Sequence, residues 1–302
     1  MGRAPTIRTV HASDGTPLVV HHYTPSGGMG ADGPGKVVLA AAMGVPQDFY
    51  APFAQWLAQQ GWQVCSFDYR GCGHSRAPEH RHSLRRLQAN LFDWARDYEA
   101  VIDHVAALPG SGPLLLLGHS LGGQLPGMLR NGHKVHGLLG VAAGSGYWRD
   151  NAPALRRKVP FFWFFLVPVF TRLYGYFPGK RLGAVGDLPA GVVRQWRRWC
   201  MHPQYSAGAE GEPVRQTYAQ VRFPVVSVAF PDDELLSAKG MEVLLGLYRN
   251  APRELVTIAP EQVQARRIGH FGAFRPEQAP QLWPRLHHYL SRLAAPPSTH
   301  AG

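Results

Sequence analysis

Apolar residues along this chain follow two rhythms. Short unbroken runs at 36–42, 62–67, 114–117, 135–143, 224–230 and 254–258 are rich in Val, Leu and Ala and too short for helices. They are the mark of strands buried on both faces. Between them, the stretches 48–60, 84–108, 121–132, 238–249 and 276–293 repeat their apolar residues at helical spacing. This alternation predicts an α/β architecture, a mostly parallel sheet with helices on both faces. At the start, 6–10 and 17–23 flank Asp14-Gly15, a pair suited to a tight turn, so an antiparallel hairpin opens the chain. A glycine-rich loop at 26–35 and a frayed tail at 294–302 complete the expected core.

The rhythm breaks between 149 and 222, where aromatic residues crowd a helical pattern: Phe161, Phe162, Trp163, Phe164 and Phe165 are consecutive, and Tyr174, Tyr176, Phe177, Trp196 and Trp199 follow. The expected division is a core at 1–148 and 223–302 with a helical cap at 149–222. Five consecutive aromatics on a helix point all round, so some must meet the core, a partner, a lipid or a substrate. Phe162 and Phe165 are the expected substrate contacts, lining an apolar pocket.

Candidate chemistry starts where the run Leu114–Leu117 enters Gly118-His119-Ser120-Leu121-Gly122-Gly123 and a helix follows. A strand-to-helix elbow of this kind lifts its serine out of the sheet edge, and small neighbours are required because the backbone there is strained. Ser120 is the expected nucleophile. It needs a base, and that base needs a carboxylate to orient it. Most of the 15 histidines have ordinary places: His21 and His22 in the hairpin, His104 in a helix, His287 and His288 in the last helix. His270 lies on a loop after the last strand, between small or flexible neighbours, with the reach to meet an elbow serine.

Three motifs resemble the α/β-hydrolase superfamily: Asp68-Tyr69-Arg70-Gly71-Cys72-Gly73-His74-Ser75, the elbow itself, and Gly269-His270-Phe271-Gly272. Ala42-Met43-Gly44-Val45-Pro46 resembles a poorly characterised group of serine hydrolases within it. The resemblance implies an α/β-hydrolase fold and an esterase- or lipase-like enzyme using Ser120, an acid and His270. In Pro231-Asp232-Asp233-Glu234 it implies Asp233 as the acid, with Asp232 and Asp150 as alternatives. It implies an oxyanion hole from the backbone amides of Leu121 and Met43, with Gly44 as the alternative to Met43. The expected reaction is hydrolysis of a carboxylic ester through an acyl-enzyme. Thioester cleavage, acyl transfer and peptide cleavage share that chemistry, and a non-catalytic ligand-binding protein of the same fold is the reading from another class.

Composition narrows the partners. The net charge of +11 suits an acidic partner, but the cations are scattered and no nucleic-acid signature accompanies them, so a small-molecule ester and no nucleic acid are expected. No cofactor is expected, and no metal, since no second His or carboxylate lies at ligand spacing from His119. Three cysteines cannot form a disulfide framework, and the first residues lack the apolar core of a signal peptide, which points to the cytoplasm. The run 160–170 is too short to span a bilayer but could touch a membrane surface.

Overall fold

The computed structural model describes residues 4–25 and 33–295. The glycine-rich loop at 26–32 and the tail beyond 295 lie outside the described residues. The opening hairpin pairs β1 (Thr6–His11) with β2 (Pro17–Tyr23) across a turn in which Gly15 has φ +81°. Then come β3 (Lys36–Ala40), α1 (Ala51–Gln59), β4 (Gln63–Phe67), α2 (Leu91–Ala106), β5 (Leu114–His119), α3 (Leu121–Gln124) and β6 (Gly137–Val141). The aromatic insertion follows. It holds α4 (Pro153–Phe161), α5 (Val167–Tyr174), the short pair β7 (Tyr176–Phe177) and β8 (Leu188–Pro189), α6 (Ala190–Cys200), α7 (Tyr205–Ala209) and α8 (Glu212–Gln220). The core resumes with β9 (Val225–Ala229), α9 (Ala238–Leu247), β10 (Arg253–Thr257), α10 (Gly269–Gly272) and α11 (Leu282–Ala294).

The sheet has eight strands in the order β1-β2-β4-β3-β5-β6-β9-β10. From β4 to β10 the neighbours are parallel, and β2 joins β4 antiparallel. The central strands are buried throughout, because alternate side chains serve two separate cores. Val38, Ala40 and Leu116 face Trp94, Tyr98 and Ile102 of α2. Val37, Leu39, Leu115 and Leu117 face Phe53 and Leu57 of α1 together with Leu286 and Leu290 of α11.

Three of the differences from the sequence expectation have a clear local cause, and the last helix, expected from 276, begins at Leu282. The helix expected at 84–108 begins only at Leu91, where Asn90 caps it: the Asn90 side chain accepts from the amides of Phe92 and Asp93, and Asp93 answers by accepting from the Asn90 amide at 2.7 Å. The helix after the elbow ends at Gln124 and does not run to 132. Pro126 lacks the amide that would continue it, and a Cβ on Gly127 would strike the Tyr218 ring at 2.0 Å. In the insertion, α4 and α5 are joined by a π turn at Phe162–Leu166. Pro168 cannot bond back to the carbonyl of Phe164, and the wider turn absorbs the lost bond.

The insertion is anchored beside the elbow. Tyr205 Oη donates to Gln124 Oε1 at 2.8 Å, Tyr218 Oη donates to the Gln124 carbonyl at 2.6 Å, and Gln124 Nε2 donates to the Gly144 carbonyl at 2.6 Å.

Candidate active site

Loops leaving the carboxyl ends of β3, β5, β9 and β10 bring the expected site residues together, as parallel α/β sheets commonly do. Ser120 follows β5 with φ 51° and ψ −113°, a conformation rare for any residue with a Cβ. Its surroundings leave no alternative to glycine: a Cβ on Gly122 would sit 2.2 Å from the Ala40 carbonyl oxygen, and one on Gly118 would sit 2.3 Å from the Gly122 backbone.

After β9, three consecutive acids divide one task. Asp233 Oδ2 accepts from His270 Nδ1 at 2.9 Å, while its Oδ1 accepts from the amides of Leu235 and Leu236 at 2.7 and 2.9 Å. Both the Asp233 and His270 side chains are almost fully buried. With Nδ1 donating to the carboxylate, the neutral tautomer of the ring carries its lone pair on Nε2. Asp232 instead holds the loop that carries His270, accepting from the amides of Ile268 and Gly269 at 2.7 and 3.1 Å. Glu234 accepts from the His270 amide at 3.0 Å and pairs with Arg267 at 3.0 Å. Burial raises the pKa of Glu234, but the hydrogen bond from His270 and the Arg267 charge outweigh it, so the carboxyl titrates below its ordinary value. Of the other acid candidate, Asp150 pairs with Lys239 at 2.7 Å and takes no part in this cluster.

A buried chain of hydrogen bonds joins three of these loops. Burial first, and the neighbouring His270 second, lower the His119 pKa well below its ordinary value, so the ring is neutral and carries one proton. His119 Nε2 lies 2.9 Å from the His270 carbonyl, which can only accept, so the proton is on Nε2 and Nδ1 accepts from Tyr50 Oη at 2.8 Å. Tyr50 Oη in turn accepts from the Ala42 amide at 2.9 Å. The Ala42 amide is thus engaged, and the next residues, Met43 and Gly44, border the site. The Ala42 carbonyl accepts from Val45 at 3.1 Å to close a turn that Gly44 completes with φ +68°.

Ser120, Leu121, His270, Met43 and Gly44 line one cavity of about 960 Å³ between the core and the insertion. Leu155, Val159, Phe162, Trp163, Leu166 and Trp196 form its opposite wall, and Arg157 and Lys158 also border it. The expectation for Phe162 fits this placement, and the one for Phe165 does not. Phe165 is 51% exposed, does not line the cavity and stacks on Phe161 at 5.2 Å. The turn of the helix explains the difference: Leu155, Val159, Phe162 and Leu166 share the inner face, Phe161 borders the cavity while more than half exposed, and Phe164 and Phe165 look outward. Sequence reasoning also missed Tyr50, Gln124 and Glu234, whose partners lie far away in the chain and leave no local spacing to read.

A buried acid–histidine pair beside an elbow serine, on a mostly parallel eight-stranded sheet, defines a protein with the α/β-hydrolase fold. Within that fold, residues 33–180 match the family described as serine aminopeptidase, S33. The soluble variant of a monoglyceride lipase from Saccharomyces cerevisiae, solved with a substrate analogue, is similar at TM-score 0.68 and 14% identity, over 97% of this chain and 96% of that one. An α/β serine hydrolase without lid from Xanthomonas campestris has TM-score 0.56 and 15% identity, over 98% and 99% of the two chains. The thioesterase domain from the curacin biosynthetic pathway has TM-score 0.55 and 13% identity, over 95% and 100%. No curated protein sequence matches the chain. Among the described residues, no helix is long and apolar enough to cross a membrane.

Proposed function

We propose that this protein is a serine hydrolase that cleaves a carboxylic ester of an apolar acyl group through an acyl-enzyme. The observation that carries the reading is the 2.9 Å contact of His270 Nδ1 with buried Asp233, on the wall of the cavity that Ser120 shares with the apolar insertion. In this reading His270 Nε2 takes the Ser120 proton as Oγ attacks the ester carbonyl carbon. Negative charge on the carbonyl oxygen is met by the amides of Leu121 and Met43, with Gly44 the alternative to Met43. Collapse expels the alcohol, which leaves with the proton from His270. Water, deprotonated by His270, then attacks the acyl carbon and returns Ser120.

The insertion acts as a cap that selects the acyl group. Its inner wall is apolar, and each methylene buried there adds up to about 0.8 kcal/mol to transition-state binding until the cavity is full. Its outer face carries Phe164 and Phe165, 57% and 51% exposed, and Phe161, Arg157 and Lys158 stand where the cavity meets that face, next to Arg156. Exposed rings flanked by cations fit transient contact with an anionic lipid surface, and so a lipid-like ester. The three buried free thiols fit a reducing cytoplasm.

A series of p-nitrophenyl esters tests the reading, with Ser120→Ala as the control. We expect kcat/KM to rise from acetate to a medium chain and then level, and Ser120→Ala to lose at least about a thousandfold with an unchanged Tm. A strict preference for acetate overturns the acyl pocket. Substantial turnover by Ser120→Ala overturns the nucleophile.

A further inference from the structure

Outside the cavity, three side chains from separate parts of the chain converge: His21 on β2, Asp48 in the turn after the β3 loop, and His74 in the loop after β4. The sequence expectation of no metal did not weigh this grouping, because its members come from a strand, a turn and a loop far apart in the chain. His74 Nε2 lies 2.7 Å from Asp48 Oδ2, His21 Nδ1 lies 3.7 Å from Asp48 Oδ1, and the two imidazole centroids are 5.2 Å apart. The three ligand atoms all lie within 4.8 Å of one another, a grouping of His, Cys, Asp or Glu found nowhere else among the described residues.

The donor set, two imidazole nitrogens and one carboxylate oxygen, is of the kind that holds a zinc ion with one position open. Ligand atoms at about 2.0–2.1 Å from tetrahedral zinc stand roughly 3.3 Å apart. The separations of 2.7 and 3.7 Å to Asp48 lie on either side of that figure and all three atoms are within 4.8 Å of one another, so side-chain rotations bring them to one ion.

The backbones that carry the ligands are fixed without any ion. Buried Asp68 accepts from the Gln47 amide at 2.8 Å, next to Asp48, and from the His74 amide at 2.8 Å. Gln47 Nε2 also donates to Asp68 at 3.0 Å and to the Val19 carbonyl at 3.0 Å, which ties the same hub to β2. Gly73 makes the close approach possible: it has φ +41°, and a Cβ there would fall 2.2 Å from the Asp68 carboxylate. His21, paired with Ser66 across the β2–β4 ladder, is buried, and its Nε2 has no hydrogen-bond partner. Its other nitrogen, Nδ1, faces the Asp48 carboxylate at 3.7 Å, beyond hydrogen-bond distance, which leaves that nitrogen open to an ion held between the two.

We propose that His21 Nδ1, His74 Nε2 and Asp48 form a zinc-binding site distinct from the Ser120 cavity. Its open position faces solvent, where Asp48 and His74 are about half exposed. The ion ties β2 to the turn at 47–50 and to the 68–75 loop. The turn follows Met43–Pro46 directly, so the ion fastens the segment that borders the cavity. This role is independent of how Ser120 is read, and its test uses no ester.

The test is a titration of the metal-stripped, untagged full chain with zinc chloride, read by calorimetry and by metal content after desalting. We expect one zinc per chain, a Tm raised by a few degrees with excess zinc, and visible d–d absorption when cobalt replaces zinc. His74→Ala and Asp48→Asn, both at exposed positions, should weaken binding by at least about tenfold and erase the Tm rise and the cobalt spectrum. The double variant His287→Ala/His288→Ala should keep all three. Substoichiometric zinc in the parent chain, or His74→Ala binding zinc as tightly as the parent, overturns the site.

Discussion

The loop that carries His270 and the helical run Pro153–Tyr174 face each other across the same cavity and are built in opposite ways. Around His270, each acid of Asp232-Asp233-Glu234 has its own partners: two loop amides for Asp232, the ring nitrogen and two amides for Asp233, the His270 amide and Arg267 for Glu234. The helical run is held by packing, with Trp163 buried against Trp196 at 4.8 Å and Arg197 donating to the Trp163 carbonyl at 2.7 Å, while its outer phenylalanines face water. Positions fixed by several directional bonds suit proton transfer, where small displacements are costly. Apolar walls define a volume and tolerate exchange, which suits selection among acyl chains.

The comparison breaks first at the acids. Asp233→Asn should lower kcat on a p-nitrophenyl ester by about 10³–10⁴-fold with little change in KM, because the ring loses the partner that fixes its tautomer. Asp232→Asn should cost far less activity and instead about 1–3 kcal/mol of stability, measured by urea unfolding, as charged hydrogen bonds to two amides weaken. A larger activity loss in Asp232→Asn would reverse the assignment.

Next come the two phenylalanines. Phe162→Ala should reduce kcat/KM on a medium-chain ester by about tenfold and leave acetate nearly unchanged, since it removes inner wall. Phe165→Ala should leave both esters unchanged and weaken sedimentation with anionic vesicles. Equal effects of the two on ester turnover would remove the distinction between inner and outer faces.

The smallest effect concerns a histidine pair between β2 and α2. His22 Nε2 lies 3.0 Å from His104 Nε2, and burial, followed by His104 and Arg8, lowers the His22 pKa to about 4. As pH falls below the ordinary value near 6.5, the unfolded chain takes up a proton that the folded ring refuses. The stability is therefore complete above about pH 6.5 and is lost as pH falls toward 4, by about 1 kcal/mol at pH 5 after allowance for solvent screening. His22→Gln should flatten the urea-midpoint difference between pH 7 and pH 5. An unchanged slope would show that the pair carries no such penalty.

What was legible in the sequence was local. Buried strands announce themselves as unbroken apolar runs, and the elbow as glycines that nothing larger could replace, so the sheet, Ser120 and the loop of His270 could be read in order. The resemblance added Asp233, which the structure joins to His270. Features set by distant partners were not legible. Gly127 is required because Tyr218, far along the chain, packs against it, and Phe165 turns outward because of which face of its helix the core covers. Tyr50 meets His119, and His21 meets Asp48, only once strands from different parts of the chain pair.

The central claim is that Ser120 is an activated nucleophile. Intact-mass and peptide analysis after treatment with a fluorophosphonate tests it most directly. The account predicts one adduct per chain, on the peptide containing Ser120, absent from Ser120→Ala and strongly slowed in His270→Ala. A folded parent chain that takes no label, or a Ser120→Ala chain labelled as fast as the parent, would contradict it.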